Sequence, residues 1–309
     1  MINILANKEN SNLGIILIIS MIAINIILLI VFLLVLLRKP KQKYIDSDIS
    51  KYNSKYPIIL VHGMVLKDFK IYRAFRKIKD VLIDNGVKVY VSNIDGIGTI
   101  KNNAIQLKEE ILNILNKENS EKINIIAHSK GGLDSRYMIS MLMMEDKVAS
   151  LTTLSTPHHG SKLSRMLMKL PNCIKKIIAF FVNTFYKFCK DKNPDIINVG
   201  YDLTDENMKI FNKQVLNSPK VFYQSYSSSL SSNKMFILKI PHAIMHKIEG
   251  DESDGIVSIN SSIWGEYKGK MPEGIDHAKM VGAYGTYKSL LTISKFYLNI
   301  VKELKELNY

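Results

Sequence analysis

Three residues of this chain have the types and the order that nucleophilic chemistry on a carbonyl group requires. Ser129 lies in the segment AHSKG, between an apolar, β-branched run at 123–127 and a helix-compatible run at 133–144. A serine at such a strand-to-helix turn exposes its hydroxyl beside the free N–H groups of the helix N-terminus. The hydroxyl needs an imidazole to accept its proton and a carboxylate to orient that imidazole. His277 and Asp254 are the predicted base and acid, in the chain order serine, aspartate, histidine.

Two backbone N–H groups are needed as well, because an attacked carbonyl group develops negative charge on its oxygen. One is predicted to come from Lys130, the residue after the serine, and the other from Met64, which follows the buried run IILVHG. The AHSKG segment alone is a weak signal, since the usual pattern G-x-S-x-G has glycine where this chain has Ala127. The alternative is an ordinary strand-to-helix turn with a surface serine, so the rest of the chain must supply the partners.

The elements that would position these residues alternate between strands and helices. Strands are predicted near 56–61, 86–92, 123–127, 148–154 and 221–226, and helices near 69–85, 103–117, 133–144 and 284–307. This βαβα order predicts an α/β fold with a doubly wound, mostly parallel sheet. The catalytic domain is predicted to cover residues 56–309.

The N-terminal part of the chain has the composition of a membrane anchor. After a tail at 1–13, an uncharged run begins at Gly14 and ends at Leu37, and a helix of this length spans about 36 Å. A cleaved signal peptide has a shorter apolar core and a small-residue cleavage site, whereas this run leads directly into RKPKQK. We therefore expect an uncleaved transmembrane helix at 14–37, followed by a basic linker at 38–55.

A strongly basic segment interrupts the alternation after the strand at 148–154. Residues 161–192 contain eight Lys or Arg and one Asp, and the apolar spacing at 172–190 predicts an amphipathic helix that carries four phenylalanines. Two interpretations are open. The helix is either a mobile lid or membrane-contact element within an insertion at about 161–200, or it packs on the core with a solvated lysine face. Cys173 and Cys189 would lie about 24 Å apart on a straight helix, which predicts two free thiols.

The composition limits the partners and cofactors. The formal net charge of +14 suits nucleic acid, anionic lipid or an anionic substrate, and nucleic acid is disfavoured because no helix-turn-helix, zinc-finger or aromatic RNA-binding pattern is found. His242 and His246 are four residues apart, but an alanine stands where the zinc motif H-E-x-x-H has glutamate. No cofactor is predicted. The histidines His62, His128 and His158 are expected to shape loops and not to transfer protons.

Six segments together resemble the bacterial true lipases, the family of secreted Pseudomonas, Burkholderia and staphylococcal triacylglycerol lipases. In chain order they are PIILVHGM (57–64), INIIAHSKGGLDSRY (123–137), LSTPHHGS (154–161), YDLTDENMKIFN (201–212), DGIVS (254–258) and DH (276–277). The resemblance implies an α/β-hydrolase fold with a helical lid, and hydrolysis of carboxylic esters of acyl lipids. It also favours Asp254 over Asp251 and Glu252 as the acid, because the sequence GIV follows it.

Two features depart from the resembled family. Its Pseudomonas-like members hold calcium near the catalytic histidine with an aspartate two residues after it, and this chain has Lys279 there, so no calcium is expected. The predicted anchor is also unlike a freely secreted enzyme. The basic residues after position 37 favour a cytoplasmic catalytic domain by the positive-inside rule, whereas the resemblance to secreted enzymes favours the extracytoplasmic face.

These observations predict a membrane-anchored serine lipase or esterase that acts on acyl lipids. Two alternatives stay open: a phospholipase or acyltransferase with the same triad, and a membrane-tethered binding protein whose hydrolase domain is inactive. The presence of Ser129, Asp254 and His277 together disfavours the inactive protein, because a disused site has no physical need for all three.

Overall fold

The computed structural model describes residues 44–64, 74–230 and 252–309. Within them, six strands form one sheet in the order β2-β1-β3-β4-β5-β6, and every neighbouring pair is parallel. The strands are β1 (Ile58–Val61), β2 (Val89–Val91), β3 (Ile123–His128), β4 (Val148–Leu154), β5 (Phe222–Ser227) and β6 (Glu266–Lys270). This topology confirms the predicted doubly wound, parallel sheet.

The central strands of the sheet are the ones with apolar sequences. Every residue of β1, β3 and β4 is buried, as expected for parallel strands that are covered on both faces. β6 has no counterpart among the predicted strands, because its sequence, EYKGK, lacks an apolar face. It lies at the edge of the sheet, where charged side chains remain partly exposed.

Helices cover both faces of the sheet. They are α1 (Arg76–Asp84), α2 (Ile100–Glu118), α3 (Lys130–Met141), α4 (Lys162–Met168), α5 (Asn172–Phe188), α6 (Ile196–Asp202), α7 (Asp205–Gln214), α8 (Ile259–Ser262) and α9 (Tyr287–Glu306). α2 and α3 contact each other and pack on the face that carries Ile125 and Tyr223. α1 and α9 contact each other, and α9 places Phe296 against Tyr226 with ring centroids 5.0 Å apart. Strand alternation puts Tyr226 on the opposite face from Tyr223.

The predicted insertion at about 161–200 forms three helices, α4 to α6, and α7 follows it before β5. In α5, which the structure describes throughout, Ala179 is the only buried residue, whereas Phe180 and Phe181 are each 67% exposed. The structure therefore excludes the interpretation in which the apolar stripe of α5 packs on the core. Cys173 is exposed, Cys189 is buried, and both are free thiols as predicted.

Residues 44–55 contact the domain, although the sequence predicts a linker there. Tyr52 is 4% exposed, and its hydroxyl donates a hydrogen bond to Asp46. The N–H of Asp46 donates to Asn85 Oδ1 at 2.7 Å, at the end of α1. Residues 44–55, which the sequence analysis assigns to a linker before the domain at 56–309, thus include a buried side chain and a hydrogen bond to the end of α1.

The predicted transmembrane helix at 14–37 lies outside the described residues. In the parts of the chain that the structure covers, no helix is both long enough and apolar enough to cross a bilayer. Membrane anchoring therefore stays a prediction from the sequence.

The contact made by residues 44–55 can be tested with Tyr52→Ala in the full chain. The variant loses a buried aromatic ring and a hydrogen bond, so we expect the free energy of unfolding to fall by about 3 kcal/mol. Tyr287→Ala is the control, because Tyr287 is 37% exposed, and we expect a change below about 1 kcal/mol. Urea unfolding followed by circular dichroism measures both. Equal, small effects would show that residues 44–55 are a free linker.

Candidate active site

Ser129 lies at a sharp turn between β3 and α3 and has a backbone conformation that is rare for a residue with a side chain. Its φ is +55° and its ψ is −134°, a conformation that costs on the order of 1–3 kcal/mol. Its N–H donates to the carbonyl of Leu154 at 3.0 Å, and its own carbonyl accepts from the Gly132 N–H at 3.1 Å and from the Thr156 hydroxyl at 2.8 Å. These contacts hold the serine at the carboxyl end of its strand.

Two glycines allow the loop after β1 to touch this turn. A Cβ on Gly63 would lie 2.7 Å from the Cβ of Ser129 and 3.1 Å from the nitrogen of Lys130. A Cβ on Gly131 would lie 2.5 Å from the carbonyl oxygen of His62. The distances of 2.7 and 2.5 Å are below any normal contact with a backbone or Cβ atom, so only glycine fits at either position.

His277 joins the serine to a buried carboxylate. Its Nε2 lies 2.9 Å from Ser129 Oγ, and its Nδ1 lies 2.7 Å from Asp254 Oδ2. The backbone N–H of His277 also donates to the carbonyl of Asp254 at 3.2 Å. With the Nδ1 proton directed at Asp254, Nε2 is free to accept the proton of the serine hydroxyl. The structure thus brings the three predicted residues together.

Asp254 is fully buried, and a tight turn satisfies its second oxygen. Oδ1 accepts hydrogen bonds from the N–H groups of Ile256 at 3.0 Å and Val257 at 2.8 Å. Gly255 has a φ of +99°, which allows the chain to close this turn. These bonds stabilise the ionised carboxylate and leave Oδ2 for the histidine.

The other candidate residues do not enter this arrangement. Glu252, the alternative acid, forms an ion pair with Lys270, and its side chain is 62% exposed. Asp251 and the pair His242 and His246 lie outside the described residues.

Met64 and Lys130, the two predicted oxyanion donors, follow the two residues that meet at the turn, Gly63 and Ser129. Lys130 is the first residue of α3, so its N–H has no acceptor within the helix. The positive end of the helix dipole adds favourable potential at the same place. The arrangement can therefore accept negative charge that develops beside the serine.

His128 precedes the serine and lies against the histidine of the triad. Its ring centroid is 4.4 Å from that of His277, and neither ring nitrogen has a hydrogen-bond partner among the described residues. Burial lowers the pKa of His128 well below its ordinary value, and the nearby His277 adds to the effect. The His128 ring is therefore neutral at physiological pH and packs beside His277 without adding a charge.

The segments LSTPHHGS and YDLTDENMKIFN meet around a buried arginine of the segment INIIAHSKGGLDSRY, whose role the sequence pattern does not reveal. Arg136 stacks on the Trp264 ring at 3.5 Å and donates to Asn212 Oδ1 at 2.9 Å and to His158 Nδ1 at 3.2 Å. Burial lowers the pKa of Arg136 to about 9, so the guanidinium stays charged at neutral pH. These contacts fix the loop after β4, whose Thr156 supports the nucleophile turn. The sequence feature that could indicate this role is an arginine seven residues after Ser129, in a helix whose other residues are mostly buried.

Beside His277, a lysine occupies the place where the resemblance would put a calcium ligand. Lys279 Nζ lies 3.0 Å from Asp276 Oδ2 and 2.9 Å from the carbonyl of Gly274, and the hydroxyl of Tyr284 donates to the same carboxylate. An ammonium group already binds these oxygens. Within the described residues, no three His, Cys, Asp or Glu side chains form a metal-binding group. The residues at this position do not fit calcium, and Lys279 itself holds the loop that carries His277.

The parallel sheet, the helices on both faces and the serine turn after β3 define the class of the protein, which is an α/β-hydrolase. The chain belongs to the family described as "Putative serine esterase (DUF676)", whose sequence profile matches residues 53–228. The matched region contains Ser129 and ends before Asp254 and His277.

The curated relatives include triacylglycerol lipases. Triacylglycerol lipase 2 of Saccharomyces cerevisiae is 35% identical over 211 residues, which are 66% of this chain and 60% of the yeast protein. The triacylglycerol lipase of Burkholderia plantarii is 34% identical over 142 residues, which are 43% of this chain and 39% of that protein. The resemblance to bacterial lipases is confirmed, and the chain spans less than two thirds of the length of either relative.

Solved structures share the fold at low sequence identity. A Bacillus licheniformis lipase in its mature form aligns with a TM-score of 0.59 at 18% identity, covering 87% of this chain and 96% of that chain. A metagenomic carboxyl esterase aligns with a TM-score of 0.67 at 16% identity, covering 87% and 79%. At such identities the likeness establishes the fold alone.

Gly131→Ala tests the close contact between α3 and the loop after β1. Alanine normally stabilises a helix by about 1 kcal/mol relative to glycine, but here its methyl group would lie 2.5 Å from a backbone oxygen. We expect the free energy of unfolding to fall by about 1–3 kcal/mol. Gly200→Ala in α6 is the matched control, because its Cβ would meet only the flexible side chain of Met168. A Gly131 variant as stable in thermal unfolding as the Gly200 variant contradicts the contact.

Proposed function

We propose that this protein is a serine lipase or esterase that hydrolyses carboxylic esters of acyl lipids through an acyl-enzyme on Ser129. The observation that carries the proposal is the continuous series of contacts from Ser129 Oγ through His277 to the buried Asp254, at 2.9 and 2.7 Å. Membership of a serine esterase family and the relatives named as triacylglycerol lipases support an ester as the substrate class.

Acylation of the serine follows from this geometry. His277 Nε2 removes the hydroxyl proton while Ser129 Oγ attacks the carbonyl carbon of the ester. The carbonyl oxygen becomes an oxyanion that the N–H groups of Met64 and Lys130 stabilise. When the tetrahedral intermediate collapses, the bond from carbon to the alcohol oxygen breaks, and His277 gives its proton to the departing alcohol. The acyl group remains on the serine oxygen.

Water completes the cycle by the same route. His277 removes a proton from water while the water oxygen attacks the acyl carbon, and collapse of the second intermediate returns a proton to Ser129 Oγ and releases the carboxylic acid. Asp254 stabilises the imidazolium ion that forms in each half of the cycle. Its backbone hydrogen bonds hold the carboxylate in place throughout.

An apolar cavity beside Met64 offers a site for the acyl chain. It measures about 520 Å³ including its open side, and helices α4 to α6 line it with side chains such as Leu167, Ile178 and Ile197. Its lining is mostly apolar, as is typical of sites that bind the apolar part of a ligand. Because Met64 is both a lining residue and a proposed oxyanion donor, an acyl chain in the cavity would direct its carbonyl end toward Ser129.

The exposed face of α5 supports a lipid surface as the place of action. Phe180, Phe181 and Phe188 are 67%, 67% and 81% exposed, and the surrounding segment 161–192 carries eight basic residues and one acidic residue. Aromatic rings flanked by lysines suit an interface with anionic headgroups. Together with the apolar run at 14–37, this supports a single-pass membrane protein. The resemblance to secreted enzymes favours an extracytoplasmic catalytic domain over the cytoplasmic side that the basic residues after position 37 indicate.

A phospholipase is the second candidate, and Lys175 favours it. Lys175 lines the acyl cavity, and its Nζ donates to the carbonyl of Met168 at 3.0 Å. An ammonium group is thus available where a phosphate headgroup would need a cation. An acyltransferase would form the same acyl-enzyme and pass the acyl group to an alcohol other than water. Product analysis with trioleoylglycerol, phosphatidylglycerol and added glycerol as acceptor distinguishes the three reactions.

Ser129→Ala and His277→Ala test the proposed nucleophile and base. Each variant should lower kcat/KM for p-nitrophenyl butyrate by about 10⁴-fold or more, because the members of a triad act as a unit. Ser129→Ala should also abolish labelling by a fluorophosphonate. His159→Ala is the control for the second variant, since His159 is exposed on the loop after β4, and it should retain turnover.

These assays use the full chain in detergent, with short and long p-nitrophenyl esters and with lipid vesicles added in parallel. A folded wild-type protein that neither labels nor hydrolyses any of these esters contradicts the proposal. That outcome would favour the membrane-tethered binding protein.

Phe180→Ser combined with Phe181→Ser tests the lipid contact of α5. Burying two phenylalanine rings contributes about 3 kcal/mol or more to binding an apolar phase, so turnover of phosphatidylglycerol vesicles should fall at least about tenfold relative to turnover of soluble p-nitrophenyl butyrate. Met143→Ser is the control, because Met143 is 80% exposed and lies outside the insertion. A vesicle-to-soluble ratio equal to that of the control would show that α5 does not contact lipid.

A further inference from the structure

The proposed mechanism uses only the backbone N–H of Lys130, the residue after the nucleophile, and gives its side chain no role. This side chain is 1% exposed, and its ammonium lies 2.7 Å from Asp134 Oδ1 and 3.0 Å from Oδ2. Burying a lysine is costly unless its charge is paired. If only the backbone N–H of residue 130 were needed, any small or apolar residue would serve at this position. The buried, charged side chain therefore has a separate role.

The ion pair spans the first turn of α3. Lys130 and Asp134 are one helical turn apart, and the turn between them contains Gly131 and Gly132. Neither glycine can be replaced by a stiffer residue, because a Cβ on the first would meet the His62 carbonyl and a Cβ on the second would lie 2.2 Å from the Thr156 hydroxyl. Two adjacent glycines have the greatest backbone freedom, and they stand directly after the N–H that must point at the oxyanion.

The carboxylate end of the pair is anchored outside α3. Asn103 Nδ2 donates to Asp134 Oδ2 at 3.1 Å and to the carbonyl of Asp95 at 2.8 Å. This bond ties the pair to α2 and to the loop after β2. Burial raises the pKa of Asp134 to about 6, although the ammonium of Lys130 opposes the shift, and Asp202 adds to it. The pair is therefore held by its surroundings and is not a flexible surface contact.

We propose that Lys130 is a positioning residue for the reaction, whose ion pair with Asp134 clamps the two-glycine first turn of α3 and so aims the Lys130 N–H at the oxyanion. The inference rests on the proposed function, because it concerns the transition state of ester hydrolysis. Residues with side chains would stiffen this turn, but the close approach of β1 and Thr156 requires glycine there. The ion pair restrains the turn instead.

The test uses the full chain with Lys130→Met combined with Asp134→Leu, and with p-nitrophenyl butyrate as substrate. Replacing a buried ion pair by apolar residues of similar size often leaves stability unchanged, so the melting temperature should stay within about 5 °C of the wild type. We expect kcat to fall about 10- to 100-fold with KM unchanged, since a misdirected oxyanion donor weakens binding of the transition state only. A stable double variant with kcat within about twofold of the wild type overturns the inference.

The control is the exposed ion pair of the same spacing on α9, Lys302→Met combined with Glu306→Leu, which should leave kcat unchanged. If the double variant at α3 loses its thermal transition, Asp134→Asn answers the same question, because it keeps the shape of the side chain. Its kcat per fluorophosphonate-labelled molecule should fall about tenfold, and an unchanged value overturns the inference. Failure of the proposed function would look different, because wild-type protein itself would then show no turnover that depends on Ser129.

Discussion

The structure depends on the close approach of three backbone segments at the carboxyl end of the sheet. The loop after β1, the turn at Ser129 and the start of α3 touch where Gly63 and Gly131 have no Cβ. Without this approach, the serine could not keep a φ of +55° or share one corner of the molecule with two backbone N–H donors. The parallel strands also bring the loops that carry the site residues together, because the carboxyl ends of all six strands lie at the same end of the sheet.

Around this contact, two buried carboxylates are each surrounded by hydrogen-bond donors. Asp254 has two backbone donors and His277, and Asp276 has Lys279 and Tyr284. Such groups are already oriented before a substrate arrives, and they need no rearrangement when charge develops. These residues are thus held by several hydrogen bonds each, in contrast with helix α5, where only Ala179 is buried.

The sequence predicts the local features of this protein well. Short sequence patterns indicate the triad order, the nucleophile turn and the strands β1, β3 and β4, because apolar runs and glycine positions are local properties of a sequence. What the patterns do not show is contact between distant parts of the chain. Residues 44–55 look like a linker until Tyr52 is seen to be buried, and Arg136 looks like a surface residue until it is seen stacked on Trp264.

The same limit explains β6 and Lys279. β6 is a strand because β5 offers it hydrogen bonds, and its own residues have little strand preference. Lys279 is recognisable from sequence as a departure from a calcium ligand, but its bonds to Asp276 and the Gly274 carbonyl become visible only in three dimensions. At such positions, the role of a residue depends on the residues that contact it and not on its own type.

The edges of the sheet have a consequence for how the protein behaves when it is concentrated. β2 has only three residues, and β6 carries charged side chains, among them Lys268, which is paired with Glu303. Short or charged edges resist the addition of a strand from another molecule, which is the first step toward fibrils. Exposed aromatic surface lies instead on the helix α5. Contact between concentrated molecules is therefore expected at the aromatic side chains of α5 and not at the edges of the sheet.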